Sequence, residues 1–307
     1  MKRTSSRRDF LKTTAVGAAA MLAGDTFGLP GSFRFRYILA SSLYGMMPLE
    51  EVLAEVRKTG AEHIDIWPMK HANHREQIET MGHEAFAALL KAHKVKPGVL
   101  SHYDLGPFGL QAAMLFAKTF GARILISNSR GPKGLSGDAL KAEVKKFAEQ
   151  MKPHIAAAAE NKLIIGIENH SGGLIASPDS IRWLIDFVQS RHLGIALAPY
   201  HLEQDSAMIA QLIEDLGERL VLFFAWQHGH GSVKKLPKEE ELLQMPGRGG
   251  LDFIPLVRAL KKIKFAGWTE IFMHPVPRGV PILDTVSEVT AEINRARSYL
   301  DACLKKT

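Results

Sequence analysis

The sequence predicts a single (β/α)8 TIM barrel, on three observations. Beyond residue 34 the chain alternates short apolar runs with longer segments of helical periodicity, the order of strand–helix units around a parallel sheet. Several runs, such as Leu163-Ile164-Ile165-Gly166-Ile167, are apolar almost without a break, as strands buried on both faces are. Eight such units within about 270 residues match the count and length of a closed barrel. A doubly wound open sheet is the alternative, but no Gly-rich phosphate fingerprint follows the first strand.

The predicted strands, in order, are residues 35–42, 63–67, 96–102, 123–128, 163–169, 193–198, 220–227 and 268–274. Each precedes a helical pattern. Leu140, Val144, Phe147 and Met151 recur at three- and four-residue spacing, and so do Val286, Val289, Ile293, Ala296, Leu300 and Cys303. Gly60, Gly121 and Asn161 punctuate helix ends. No linker-like break divides the chain, so residues 35–305 are expected to form one barrel.

Residues 1–24 read as an address. Ser6-Arg7-Arg8-Asp9-Phe10-Leu11-Lys12 places paired arginines before Phe-Leu-Lys, the twin-arginine export pattern, and an Ala/Gly-rich apolar stretch follows to Gly24. About a dozen apolar residues are too few for a spanning helix and suit a signal segment with a basic flank. No Cys comes directly after Leu22-Ala23-Gly24, so no lipoprotein-type or other stable membrane anchor is expected. The expected partner is the twin-arginine translocation machinery, and the expected location is the periplasm or cell envelope.

The formal charge of +7 is concentrated in that segment, where Lys2, Arg3, Arg7, Arg8 and Lys12 face only Asp9. What remains, about +3, is weak grounds for a nucleic-acid partner. With 46% hydrophobic and 23% charged residues the composition is globular, and disordered or collagen-like readings fall away. Cys303 is the sole cysteine, which rules out a disulfide framework and any multi-cysteine metal site. It falls on the apolar stripe of the last helix and reads as a small buried hydrophobe.

Chemistry in such a barrel sits at the C-terminal ends of the strands. Those ends carry Asp65 and Trp67, His102 and Asp104, Glu168 to His170, Tyr200 and His201, Gln227 and His228, and Glu270 and His274. Most of the 13 histidines lie at or just past these positions. Glu168 and Glu270 stand in apolar surroundings, where a carboxylate must be paired, protonated or bound to a cation. Such a pair can clamp one divalent ion or divide acid and base roles; a structural ion pair with Arg or Lys is the plainer reading. His228-Gly229-His230 suits either a metal or a solvated loop, and the charged run 234–241 suits a solvated face. Arg248, in the glycine loop 246–252, is a candidate ligand contact, with a plain turn as its rival.

Ile167-Glu168-Asn169-His170, the loop ending Leu251-Asp252-Phe253, Gly267-Trp268-Thr269-Glu270 and Gly60-Ala61-Glu62-His63-Ile64-Asp65-Ile66 together resemble the xylose isomerase-like TIM-barrel family. That resemblance implies a divalent metal (Mn, Co, Zn or Mg) held by Glu, Asp, His and Glu from strands 5, 6, 7 and 8. Glu168 and Glu270 match the outer two. At strand 6 the implied Asp is Ala198 while the following His201 is kept, and at strand 7 the implied His falls near Phe224, with His228 a few residues on. The implied metal donors here are Glu168, Glu270, His201 and His228, with His102, His201, Arg248 and Trp67 as substrate contacts.

The leading expectation is an exported isomerase or epimerase that moves a proton next to the carbonyl of a sugar or keto-sugar, with Glu168 and Glu270 as the catalytic pair. A keto-sugar lyase is its close variant, and a metal-free carbohydrate-binding barrel the non-catalytic alternative. An endonuclease IV-like nuclease is disfavoured by the low charge of the mature chain. The partner is a small carbohydrate; homo-oligomerisation stays open.

Overall fold

The computed structural model describes residues 33–307, so the expected signal segment lies outside the described residues. The strands are β1 Tyr37–Ala40, β2 His63–Ile66, β3 Lys96–Ser101, β4 Ile124–Asn128, β5 Ile164–Glu168, β6 Leu193–Leu197, β7 Leu220–Ala225 and β8 Trp268–Ile271. Each pairs in parallel with the next, and β8 closes on β1. The helices are α1 Leu49–Val56, α2 His74–Met81, α3 His83–His93, α4 Gln111–Phe120, α5 Gly137–Glu160, α6 Pro178–Phe187, α7 Ser206–Leu216, α8 Lys238–Glu241, α9 Phe253–Lys262 and α10 Val286–Lys305. The predicted eight-stranded barrel is the fold observed.

Strands end earlier than their apolar runs. Beyond Ser101, Glu168 and Ile271 the chain leaves the ladder, so His102, Asn169 and His274 sit on loops above the barrel. After β1 the chain tightens into a 3-10 turn over Ser41–Tyr44. Asn169 compensates for lost strand pairing: its side chain donates to the Ala198 carbonyl and accepts from the Ala198 N–H. This ties the ends of β5 and β6 together.

Helix faces follow their sequence periodicity. Val144, Phe147 and Met151 of α5 are buried, as are Val289, Ile293, Ala296, Leu300 and Cys303 of α10. Each large apolar side chain withdrawn from water stabilises the fold by about 1.5–3 kcal/mol. Inside the barrel, a Cβ on Gly166 would lie 2.4 Å from Ile126 Cδ1, so any larger residue on β5 there requires Ile126 to move. Capping fixes where helices start: Thr285 and Glu288 form a reciprocal cap on α10, and Asp252 accepts from the Ile254 N–H at the start of α9. The cap at Thr285 thereby anchors one end of the loop that leaves β8.

Candidate active site at the barrel mouth

Lateral neighbours in a parallel sheet share a face, so register decides what points inward. Asp65 pairs with Ala40 and Val99, Glu168 with Asn128 and Ala196, and Glu270 with Ile38 and Phe224. Continuing each strand by two residues on the same face gives Trp67, His170 and Phe272. Three buried carboxyls, from β2, β5 and β8, therefore enter one interior.

Their environments differ. Asp65 accepts from the Ser101 N–H at 3.0 Å and the Ser101 hydroxyl at 2.6 Å. Neither oxygen of Glu270 has a hydrogen-bond donor. Burial raises both acids, Asp65 to about 7 and Glu270 well above the carboxylate range, and the Asp65 charge pushes Glu270 further up. With two donors fixed on Asp65, the negative charge settles there and the proton on Glu270. Burial lifts Glu168 to about 8, and only the Tyr103 hydroxyl opposes the shift.

His201 Nε2 lies 3.8 Å from Glu168 Oε1, while its Nδ1 is 3.0 Å from the Ser171 hydroxyl. Burial first, then the neighbouring His170, His228 and Arg278, hold this imidazole neutral with a pKa near 2. His170 lies over it at 4.0 Å between ring centroids. Across the mouth, His71 stacks on His274 at 4.6 Å. The walls are aromatic: Trp67 stacks on Tyr103 and Phe272 at 5.3 and 5.1 Å, and Tyr200 lies on Trp226 at 3.9 Å. Flat faces beside buried acids suit a ligand with one apolar side and many hydroxyls.

Of the sequence candidates, Glu168, Glu270, Trp67 and His201 come together. His102 does not join them; its Nδ1 is 3.2 Å from Asp104 Oδ1, because it is one residue out of phase with the inward-facing Ser101 and Tyr103. Arg248 is turned elsewhere as well. Its Nε and Nη2 donate to both oxygens of Glu292 on α10 at 2.8 and 2.7 Å, which answers its charge at the barrel exterior. His228 is exposed on the rim, 4.9 Å from the Tyr200 ring. The run 234–241 is only partly a solvated face, since Glu241 is buried and accepts from Lys238 and the Val276 N–H.

At the strand 6 position stands the methyl group of the fully buried Ala198, and β7 presents Phe224 level with Glu270, followed by Trp226. Among the described residues no three of His, Cys, Asp or Glu gather where they could hold an ion. Glu168, Glu270, His201 and His228 thus do not form a fitting set.

Sequence reasoning passed over Tyr103, Trp226, Phe272 and Arg278, and placed Asp65 at a strand end and a family position without giving it a role in the site. The two-residue alternation along each strand would have found the first three. Arg278 carries no such signal, because it lies on the loop after β8.

A family model described as xylose isomerase-like TIM barrel matches residues 53–292, and a twin-arginine translocation signal model matches residues 4–24. The chain is therefore addressed for export across the membrane, and no helix among the described residues is long and apolar enough to cross one. No curated protein matches in sequence. Among solved structures, the IolI protein with a zinc atom superposes with a TM-score of 0.66 at 17% identity, covering 87% of this chain and 98% of that one. An L-ribulose 3-epimerase gives 0.66 at 15%, covering 89% and 95%. A D-allulose 3-epimerase from Methylomonas sp. gives 0.63 at 16%, covering 89% and 100%.

Proposed function

The chain belongs to the xylose isomerase-like TIM-barrel family, and from that membership and the mouth just described we propose an exported sugar isomerase or epimerase acting in the periplasm. The observation that carries the reading is the meeting of Glu168 and Glu270, from β5 and β8, inside one aromatic-walled interior. Glu168 is the base. A carboxyl near 8 is more basic than an ordinary glutamate and is still ionised in roughly a tenth of molecules at pH 7. Glu270 keeps its proton and serves as the acid. His201, neutral beside Glu168, orients that carboxyl or its substrate hydroxyl. Trp67 and Tyr103 hold the apolar face of the sugar. Two solved relatives of this fold are named as 3-epimerases, which supports the same proton transfer here.

Zinc is named for the IolI protein. A divalent ion in this chain would have Glu168 and Glu270 as its carboxylate donors, without the strand 6 and strand 7 partners, and no step is assigned to it. Ala198 and Phe224 also favour a second reading, a carbohydrate-binding barrel without turnover.

The test is solvent-deuterium exchange, read by NMR, at the carbon beside the carbonyl of free ketoses and keto-sugar acids. Exchange in the wild type that is lost in Glu168→Gln and Glu270→Gln supports the enzyme. Binding without exchange favours the second reading, and elimination products identify a lyase.

A further inference from the structure

Arg278 stands at the mouth and proton transfer does not use it. It lies on the loop between β8 and α10, and its guanidinium bonds only neutral acceptors. Nη1 donates to the Pro275 carbonyl at 2.6 Å, and Nη2 donates to the carbonyl and hydroxyl of Ser232 at 3.1 Å. The Ser232 hydroxyl is in turn 2.9 Å from the Tyr200 hydroxyl, and Tyr200 is stacked on Trp226. The fork is thus held in place by the same aromatic wall that lines the site.

Among the described residues Arg278 makes no ion pair, and its Nε–H has no protein partner. The acidic groups that act on it are the Tyr200 hydroxyl and Glu241, whose own ion pair is with Lys238. On the cavity side its charge meets four imidazoles, His71, His170, His201 and His274, each of which it helps to hold neutral. A half-buried guanidinium, positioned by neutral acceptors and facing neutral imidazoles on the cavity side, is short of an anion. A strut between loops would need only the Nη contacts.

We propose that the sugar taken at this mouth is anionic, and that Arg278 receives its carboxylate or phosphate group. This rests on the mouth being a sugar site, as proposed above. The neutral imidazoles then offer N–H donors to the remaining oxygens of the anion and its hydroxyls, and the buried glutamates are left for the carbon chemistry.

Calorimetric titration of the exported chain with D-glucuronate, D-galacturonate and D-glucose 6-phosphate, beside D-glucose and D-galactose, tests it. At least one acid is expected to bind about tenfold tighter than its neutral counterpart. That advantage should shrink at high salt, vanish in Arg278→Gln and survive in part in Arg278→Lys, with neutral-sugar affinity unchanged. Preference for the uronates identifies a carboxylate, and preference for the phosphate ester identifies a phosphate. Equal binding of acids and neutral sugars overturns the anion site and leaves the sugar site standing, whereas no binding of any sugar overturns both. If Arg278→Gln proves unfolded by melting, the wild-type comparison and its salt dependence decide. Lys235→Gln, on the loop beyond the rim, is expected to leave all affinities as they are.

Discussion

Asp65 and Glu270 are two fully buried carboxyls in mutual electrostatic contact, and only one of them is supplied with donors. Ser101 gives Asp65 both its N–H and its hydroxyl, so the pair shares one charge unequally. Replacing Glu270 by Gln keeps a neutral polar group and is expected to cost less than about 1 kcal/mol of stability while abolishing exchange. Asp65→Asn turns an amide nitrogen toward one Ser101 donor, and is expected to cost about 1–3 kcal/mol. Urea denaturation of both variants measures the difference.

The barrel was legible because burial on both faces marks a parallel sheet, and eight such units without a phosphate fingerprint after the first strand favour closure over a doubly wound sheet. The site was legible where a charged residue interrupts an apolar strand, as at Glu168 and Glu270. It was illegible where function depends on phase or on loops. His102 and Tyr103 are adjacent and both polar-tipped, yet only the second faces the interior. Arg248 and Arg278 are each a lone arginine near glycine and proline, and nothing in their local sequence says that the first meets Glu292 while the second overhangs the mouth.

Glu168 gives stability a definite pH slope. Its folded pKa, about 8, lies above its ordinary 4.5, so the folded state holds a proton that the unfolded chain releases. Its contribution is fully present below pH 4.5 and is lost as pH rises toward 8. Glu168→Gln removes that loss. The variant's stability should overtake that of the wild type progressively between those limits, by at most about 1.4 kcal/mol per pH unit, and its melting temperature should rise above the wild type's accordingly. Parallel melting curves at every pH would refute it.

His63 works in the opposite direction. It is inward-facing on β2, 4.5 Å from the Trp268 ring, and burial with Lys96 and Arg36 nearby lowers its pKa to about 4. The unfolded histidine, at 6.5, takes up a proton that the folded one refuses. Stability is therefore present above pH 6.5 and lost as pH falls toward 4. His63→Phe should flatten this acid limb without touching sugar binding, as read by thermal melts across the same range.

Arg248 is expected to matter to the fold alone. Truncation to Ala leaves the buried Glu292 with Arg295 as its remaining partner, and should cost about 1–2 kcal/mol once the partial exposure of the arginine is allowed for. Sugar affinity should be unchanged in the same preparation. A loss of affinity without a loss of stability would return Arg248 to the mouth.

Removal of divalent ions separates the two readings of the acid cluster. If Glu168 and Glu270 served chiefly as ligands, chelation would leave two buried carboxylates facing each other's charge, and the melting temperature would fall. With Ala198 and Phe224 in place of further donors, and with burial raising both acids toward their protonated forms, Glu168 and Glu270 need no cation to balance their charge. Chelator dialysis is therefore expected to leave the melting temperature unchanged, and added Mn, Co, Zn or Mg to raise it by no more than an equal ionic strength of sodium chloride does. The double variant Ala198→Asp/Phe224→His supplies the missing donors. It should be destabilised in chelator, because it buries another acid, and should regain stability on adding a divalent ion. A wild type that itself loses stability in chelator would place a metal among its working parts.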